Sequence, residues 1–464
     1  MRRLAIVFLL LGSALWAQQN TVTNVQKQDP SSERGQLAKN CPFKHTLGCL
    51  EVLFTGQPLH VSVGSIAPQD GFGAGLAYVG HKDTENWSTS WSGDAIASSN
   101  ASWRAGGFLT FVDTRLKAAT PVFGTQSAIE NDLPVYVEQP VFRLYEQSIS
   151  LNKVTFFGEG PYSAVTGRSY FGMTEHIIGG SLVRPIYERL NMGVYAEVNA
   201  RVISIRPSPG QSSPSIKQIY TPTTAPGLDH QPVFIQLGAG IRMRPSTPKG
   251  LFHFDYDFAY RPFIDTAGSG FSFQRLTADA YQEISLYHTN MLVARDTNDP
   301  NNCLIDSKAN PPHCAAVGGR SLAGHLGLRA STNLSVQPGG NVAPFYFQPT
   351  LGGSDLNGSP TLSSYQDYRF RAPDTLLVQE SFEQSMGRFP VGFDFQADQG
   401  KVALDGGDLN GNPWIHSYAV GLTLRAGGFP QVYLLFAFGG KEGTHTMGIV
   451  NTSLLGSAVR PSLF

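Results

Sequence analysis

The feature that most constrains this chain is a two-residue alternation of apolar and polar side chains, sustained over unusually long segments. Phe252, Phe254, Tyr256, Phe258 and Tyr260 share one parity, and His253, Asp255 and Asp257 the other. Val194, Ala196, Val198, Ala200 and Val202 alternate with Glu197, Asn199 and Arg201. Val233, Ile235, Leu237, Ala239, Ile241 and Met243 oppose Gln236, Arg242 and Arg244. Near the end, Tyr418, Val420, Leu422 and Leu424 alternate with Ser417, Thr423 and Arg425. Period two is the strand signature, because successive side chains point to opposite faces. These segments run to about 10–12 residues, against about 5–6 for an ordinary soluble strand. A tilted strand crossing a bilayer needs about 9–11. Charges on the polar face suit a wet lumen behind a lipid-facing apolar wall.

No helix-length apolar run offers another way across a membrane. The longest after the start is Val432 to Phe438, far short of the ~20 residues a spanning helix needs. Gly 50 and Pro 30, with 15% charged residues, describe many turns and few solvated helices. The formal net charge of -1 leaves no basic footprint, so nucleic acid is not an expected partner. At the start, Arg2 and Arg3 precede the apolar stretch Leu4 to Leu11, and Leu15-Trp16-Ala17 stands before Gln18. That is the layout of a secretory signal peptide over residues 1–17.

The expected architecture is all-β: a transmembrane antiparallel β-barrel over residues 58–464. At about 25 residues per strand and connection it has about sixteen strands. Residues 207–232, 296–312 and 405–413 read as loops. Residues 18–57 form a short periplasmic N-terminal segment. An exported chain folds where disulfides persist. The four cysteines therefore pair by proximity, Cys41 with Cys49 and Cys303 with Cys314, free thiols being the alternative.

Three stretches resemble the BamA/TamA-type family of outer-membrane assembly barrels, also called bacterial surface antigen domains. Leu351-Gly352-Gly353, followed by Leu362, Ser363, Ser364, Tyr365, Asp367, Arg369, Phe370 and Arg371, resembles the family's lumen-loop motif. Phe395, Asp398 and Gly400 lie on a stretch similar to its F-x-D-x-G strand, and Phe436 to Gly439 looks like its closing strand. By motif the resemblance covers residues 351–439, and the other strands only by pattern. It implies a loop folded into the lumen against the Asp-Gly strand. The family's Arg and Gly are here Ser363 and Ser364, and extra residues follow Gly353. No space before residue 58 is expected for POTRA domains.

The segment around Tyr365 is therefore expected to fold inward and meet Asp398 and Gly400. Arg369 or Arg371 would then pair with Asp398, and Gly400 would leave room for the Tyr365 ring. The alternative is that both arginines begin the next strand and face loop water.

Catalytic signatures are absent from the sequence. Gly319-Arg320-Ser321-Leu322-Ala323 lacks the second glycine of a nucleophile elbow, and Glu175-His176 alone is no zinc helix. Asp296, Asn298, Asp299 and Asp306, like Asp405, Asp408 and Asn410, read as turn residues without EF-hand spacing. No metal or cofactor is expected. A Ser-His-Asn triad on the barrel exterior would escape this reading, since triads are defined by geometry. What the resemblance implies is a non-catalytic outer-membrane protein acting in transport or membrane biogenesis. Its partners would be outer-membrane lipid and the barrel-assembly machinery that inserts it. A passive diffusion channel is the alternative, and an outer-membrane lipid hydrolase the third reading.

Overall fold

The computed structural model describes residues 59–115, 140–208, 214–245, 251–292, 319–386, 391–426, 429–450 and 460–464. The expected signal peptide, the N-terminal segment and all four cysteines lie outside the described residues, as do Asp296 to Asp306.

Sixteen strands form one antiparallel sheet in which each strand pairs with its neighbours in the chain. They are β1 (Leu59–Ser65), β2 (Phe72–Asp83), β3 (Trp87–Ser98), β4 (Trp103–Asp113), β5 (Val141–Phe156) and β6 (Ser169–Tyr187). Next come β7 (Met192–Pro207), β8 (Phe234–Met243), β9 (Phe252–Asp265), β10 (Phe273–Leu292) and β11 (Gly319–Val336). After two short strands, β12 (Thr350–Leu351) and β13 (Phe370–Arg371), which pair only with each other, the sheet resumes. It continues through β14 (Asp374–Ser385), β15 (Val391–Ala403), β16 (Ile415–Ala426), β17 (Phe429–Gly440) and β18 (Gly443–Val450). The expected strand count is met.

Side-chain parity separates two environments along much of the sheet. On β9, Phe258 and Tyr260 are 46% and 41% exposed on the outer face. Asp255 and Asp257 turn inward, to Arg244 at 2.8 Å and Arg242 at 3.0 Å. On β5, Phe142 and Leu144 are exposed outside, while Tyr145 bonds the inward Glu197. Asp255, Asp257, Glu197 and Arg201 thus line the lumen, as the alternation required. An apolar outer surface on a sheet whose strands pair each with the next is the solution lipid demands of strands. The chain is a transmembrane antiparallel barrel of the outer-membrane type. Folded protein is expected to resist SDS and to shift on a gel only after boiling. Migration unchanged by boiling would count against the barrel.

The lumen is filled unevenly. At the end where β5 meets β6 and β7 meets β8, here the loop end, an aromatic core occupies it. Phe156, Phe171, Phe234, Phe263 and Phe273 enter from the wall, and Phe345, Tyr346 and Phe347 from the β11–β14 connection. Phe234 meets Phe347 at 5.0 Å and Phe156 meets Phe345 at 5.2 Å, both edge to face. Leu463 joins this core, and Arg460 of the same terminal stretch reaches Asp94 on β3 and Gln147 on β5. Beyond the core lies a polar chamber of about 440 Å³, lined among others by Arg242, Asp257, Arg261, Asp279 and Arg329.

Candidate functional site

The site is the segment from Thr350 to Arg371, which enters the lumen as a narrow hairpin. Its base is the β12–β13 pair, with Leu351 opposite Phe370. Past the base, Gly352 and Gly353 take φ of +110° and +56°, a backbone region open chiefly to glycine. They turn the chain so that Ser354 donates its N–H to Asp367 Oδ1 at 2.9 Å. Asp367 is therefore a brace across the hairpin. Its own carbonyl accepts from Thr155 Oγ1 of β5 at 3.1 Å.

The tip of the segment lies against β15, β16 and the β17–β18 turn. Ser363 points its backbone N–H at Asp398 Oδ2, 3.4 Å away, and Ser364 donates to Ser417 Oγ at 2.8 Å. Gly400 has room for no side chain, since a Cβ there would lie 2.9 Å from Leu351 Cδ1 and 3.1 Å from Leu362 Cδ1. Tyr365 lies instead at Gly440, where an added Cβ would meet its ring at 2.9 Å. Its hydroxyl accepts from the Lys441 N–H at 3.3 Å.

The segment thus folds inward and meets the Asp398–Gly400 strand, but two pairings differ from expectation. Among the described residues no arginine pairs with Asp398, whose other oxygen accepts from Gln379 Nε2 at 3.1 Å. Arg369 reaches Glu442 at 2.5 Å and Ser163 Oγ at 2.8 Å, packed on Phe157 and Phe370. Arg371 donates to the Phe345 carbonyl at 2.7 Å and lies over Phe156. A backbone N–H needs no cation to satisfy a carboxylate, so Ser363 serves where an Arg was sought. Gly400 makes room for Leu362, and the ring goes to Gly440. Neither arginine faces loop water, as both are buried.

One titratable group tunes how this segment is held. Glu159, in the β5–β6 connection, accepts from Gln348 Nε2 at 2.6 Å. Burial pushes its carboxyl up to about 7, against the opposing Gln348 bond and Arg371 charge. A folded-state value above the unfolded one gives stability that is complete below the unfolded value and lost as pH rises through about 7. From pH 5 to pH 8 the wild type is expected to lose about 2 kcal/mol that Glu159→Gln does not lose. Urea unfolding of both proteins at the two pH values measures it, and equal losses would refute the assignment.

Among the described residues no His, Cys, Asp and Glu group could hold a metal ion. Asp405 accepts from the Gly407 N–H at 2.9 Å, a turn contact. Ser148 and His176, neighbours on the outer face of β5 and β6, are joined Oγ to Nδ1 at 2.7 Å. Among the described residues neither a carboxylate nor an amide is bonded to that ring, so the pair has no orienting third member of a Ser-His-Asn kind. Sequence reading missed it because the two lie on different strands.

No family model and no curated protein matches the sequence. Solved structures do. CdiB from Acinetobacter baumannii matches at a TM-score of 0.44 and 13% identity, over 84% of this chain and 59% of that one. CdiB from Escherichia coli matches at 0.45 and 11%, over 82% and 58%. The chain is similar to BamA- and CdiB-type barrels. The BamA structure, from Haemophilus ducreyi and lacking POTRA domains 1-3, matches at 0.45 and 9%, over 84% of this chain and 67% of that one. This chain spans only 59% and 58% of the length of the two CdiB structures. Where the BamA/TamA pattern has Arg, this chain has Ser363, and the contact to Asp398 runs through backbone.

Proposed function

We propose that this chain is a non-catalytic outer-membrane barrel of transport or membrane biogenesis, its lumen held closed by its own inserted segment. The reading is carried by one observation: residues 345–371 pack with the aromatic core and the wall across the loop end of the lumen. A passive diffusion channel needs that space for water and solute. Outer-membrane lipid surrounds the wall, and barrel-assembly machinery is needed to insert it.

An engineered disulfide tests both the insertion and the closure. Ser364 donates its N–H to Ser417 Oγ at 2.8 Å, which sets two side chains of cysteine size side by side between segment and wall, where a disulfide needs a Cβ separation of about 3.5–4.5 Å. Ser364→Cys with Ser417→Cys is expected to crosslink under mild oxidant, with each single variant as the control for native thiols. In planar bilayers the wild type is expected to stay mostly closed with rare openings. The oxidised pair should abolish those openings, and reductant should restore them. A steady ohmic pore from the intact wild-type barrel would overturn the proposal in favour of a diffusion channel.

A further inference from the structure

A second cavity, of about 420 Å³, opens at the loop end between β18 and the turn joining β1 to β2. Gln69, Lys153, Arg168, Asp367 and His445 line it. Lys153 Nζ and Arg168 Cζ lie 5.5 and 5.1 Å from the centroid of one buried ring, that of Tyr170. Two cations gathered on one ring repel each other, and among the described residues neither has a carboxylate in ion-pair contact. The cavity holds two further open valences. Arg168 Nε and Gln69 Oε1 are buried without a partner.

The lining's one carboxylate, Asp367, is already committed to the Ser354 N–H. Burial pushes it above the usual carboxylate range, against the opposing charges of His445 and Lys153, and it is one carboxylate facing two cations. The balance of the cavity is therefore positive. Its place matters as much. Arg168 directly precedes β6 and His445 is near the start of β18, so the cavity sits at the rim of the barrel, with Gly353, Tyr365 and Asp367 of the inserted segment in its lining. Met447 adds an apolar side to the same lining.

We propose that this rim cavity binds a phosphate group, such as a lipid headgroup presents at that level, through Lys153 and Arg168. An Arg guanidinium offers paired donors that match phosphate oxygens, and a Lys ammonium adds a compact charge. His445 stands within the same lining to take a remaining oxygen, whereas Gln69 Oε1 accepts and can meet only a hydroxyl, its Nε2 being committed to Thr155 Oγ1 at 2.9 Å. A phosphate arriving free in solution would offer the same chemistry, and the probes separate the two sources.

The experiment uses the whole barrel in nanodiscs of phosphatidylcholine containing a minority of phosphatidylglycerol, with native mass spectrometry counting lipids that survive release. Retention of phosphatidylglycerol over phosphatidylcholine is expected. Lys153→Glu with Arg168→Glu should weaken it about tenfold or more. Lys153→Arg with Arg168→Lys should retain most of it. Both side chains are partly exposed, and heat-modifiable migration verifies that each variant is folded. Should the double variant fail that check, Lys153→Gln alone is expected to weaken retention in the same direction. Radiolabelled inorganic phosphate is the second probe: binding it and losing lipid to it supports the site with free phosphate as its ligand. Retention of neither probe, or retention indifferent to both charge reversals in folded protein, overturns the proposal.

Discussion

Gly353→Ala is expected to turn a mostly closed barrel into a conducting one, while Gly358→Ala, in the same segment, leaves it closed. Both glycines have positive φ, +56° and +85°, so both alanines incur a conformational cost of about 1 kcal/mol. Their surroundings differ. A Cβ at Gly358 meets nothing within 4 Å, whereas one at Gly353 would lie 2.4 Å from Asp367 Oδ1 and 2.6 Å from Asp367 N. The oxygen could swing aside only by giving up Ser354, and the backbone nitrogen cannot swing at all. Asp367 is also fixed by Thr155 on the wall. The segment has little stability to spare, because Leu362 and Tyr368 already hold φ of 36° and 61° without being glycine. Such residues cost about 1–3 kcal/mol each unless their surroundings hold them. Here Leu362 is held in the notch at Gly400, and Tyr368 by its hydroxyl on the Pro68 carbonyl at 2.7 Å. Single-channel recording in planar bilayers decides the matter. Equal behaviour of the two variants would show that the Gly353 contact does not hold the segment in.

What the sequence disclosed follows from which interactions are periodic. The outward row from Phe252 to Tyr260 and the inward Asp255 and Asp257 were legible because one strand contains the whole pattern. Insertion of the Tyr365 segment was legible through the resemblance. Its partners were not, because a side-chain alphabet does not display backbone donors. Asp398 invited an Arg, yet the Ser363 N–H and Gln379 serve it. Tyr365 and Gly440 are far apart in the chain, and only the turn between β17 and β18 brings that glycine to the ring. The aromatic core was hidden for a related reason. Phe156, Phe171, Phe234, Phe263 and Phe273 come from five strands, and each alone reads as one more residue of an alternating pattern. Phe263 is the instructive case. It has the parity of Asp255 and Asp257, and its inward position marks where the wet lumen gives way to a dry one.

The largest expected loss of stability comes from Arg201→Ala. Arg201 Nη1 meets Glu175 Oε1 at 2.9 Å on the lumen face, with both side chains only 1% exposed. The guanidinium also donates from Nε to Asn199 at 3.0 Å and lies over Phe263 and Phe347 at 5.8 and 5.9 Å. It therefore joins the wall to the β11–β14 connection through aromatic faces as well as through charge. Removing it leaves Glu175 buried beside an aromatic core with no cation, a change that costs about 3–5 kcal/mol when one partner of a buried pair is lost. The pair itself is a different quantity. Taking two charges out of water consumes most of their attraction, so replacing both by apolar groups of similar volume is often close to neutral. Arg201→Met combined with Glu175→Leu is accordingly expected to cost about 1 kcal/mol, far less than Arg201→Ala alone. Arg201→Met alone should resemble Arg201→Ala, because it too leaves the carboxylate unpaired. Urea unfolding of the lipid-reconstituted barrel, with Glu175→Leu as the remaining single variant, gives all four values. If the double replacement costs the sum of its single replacements, Arg201 and Glu175 are not coupled, and the bridge does not fasten the wall at this point.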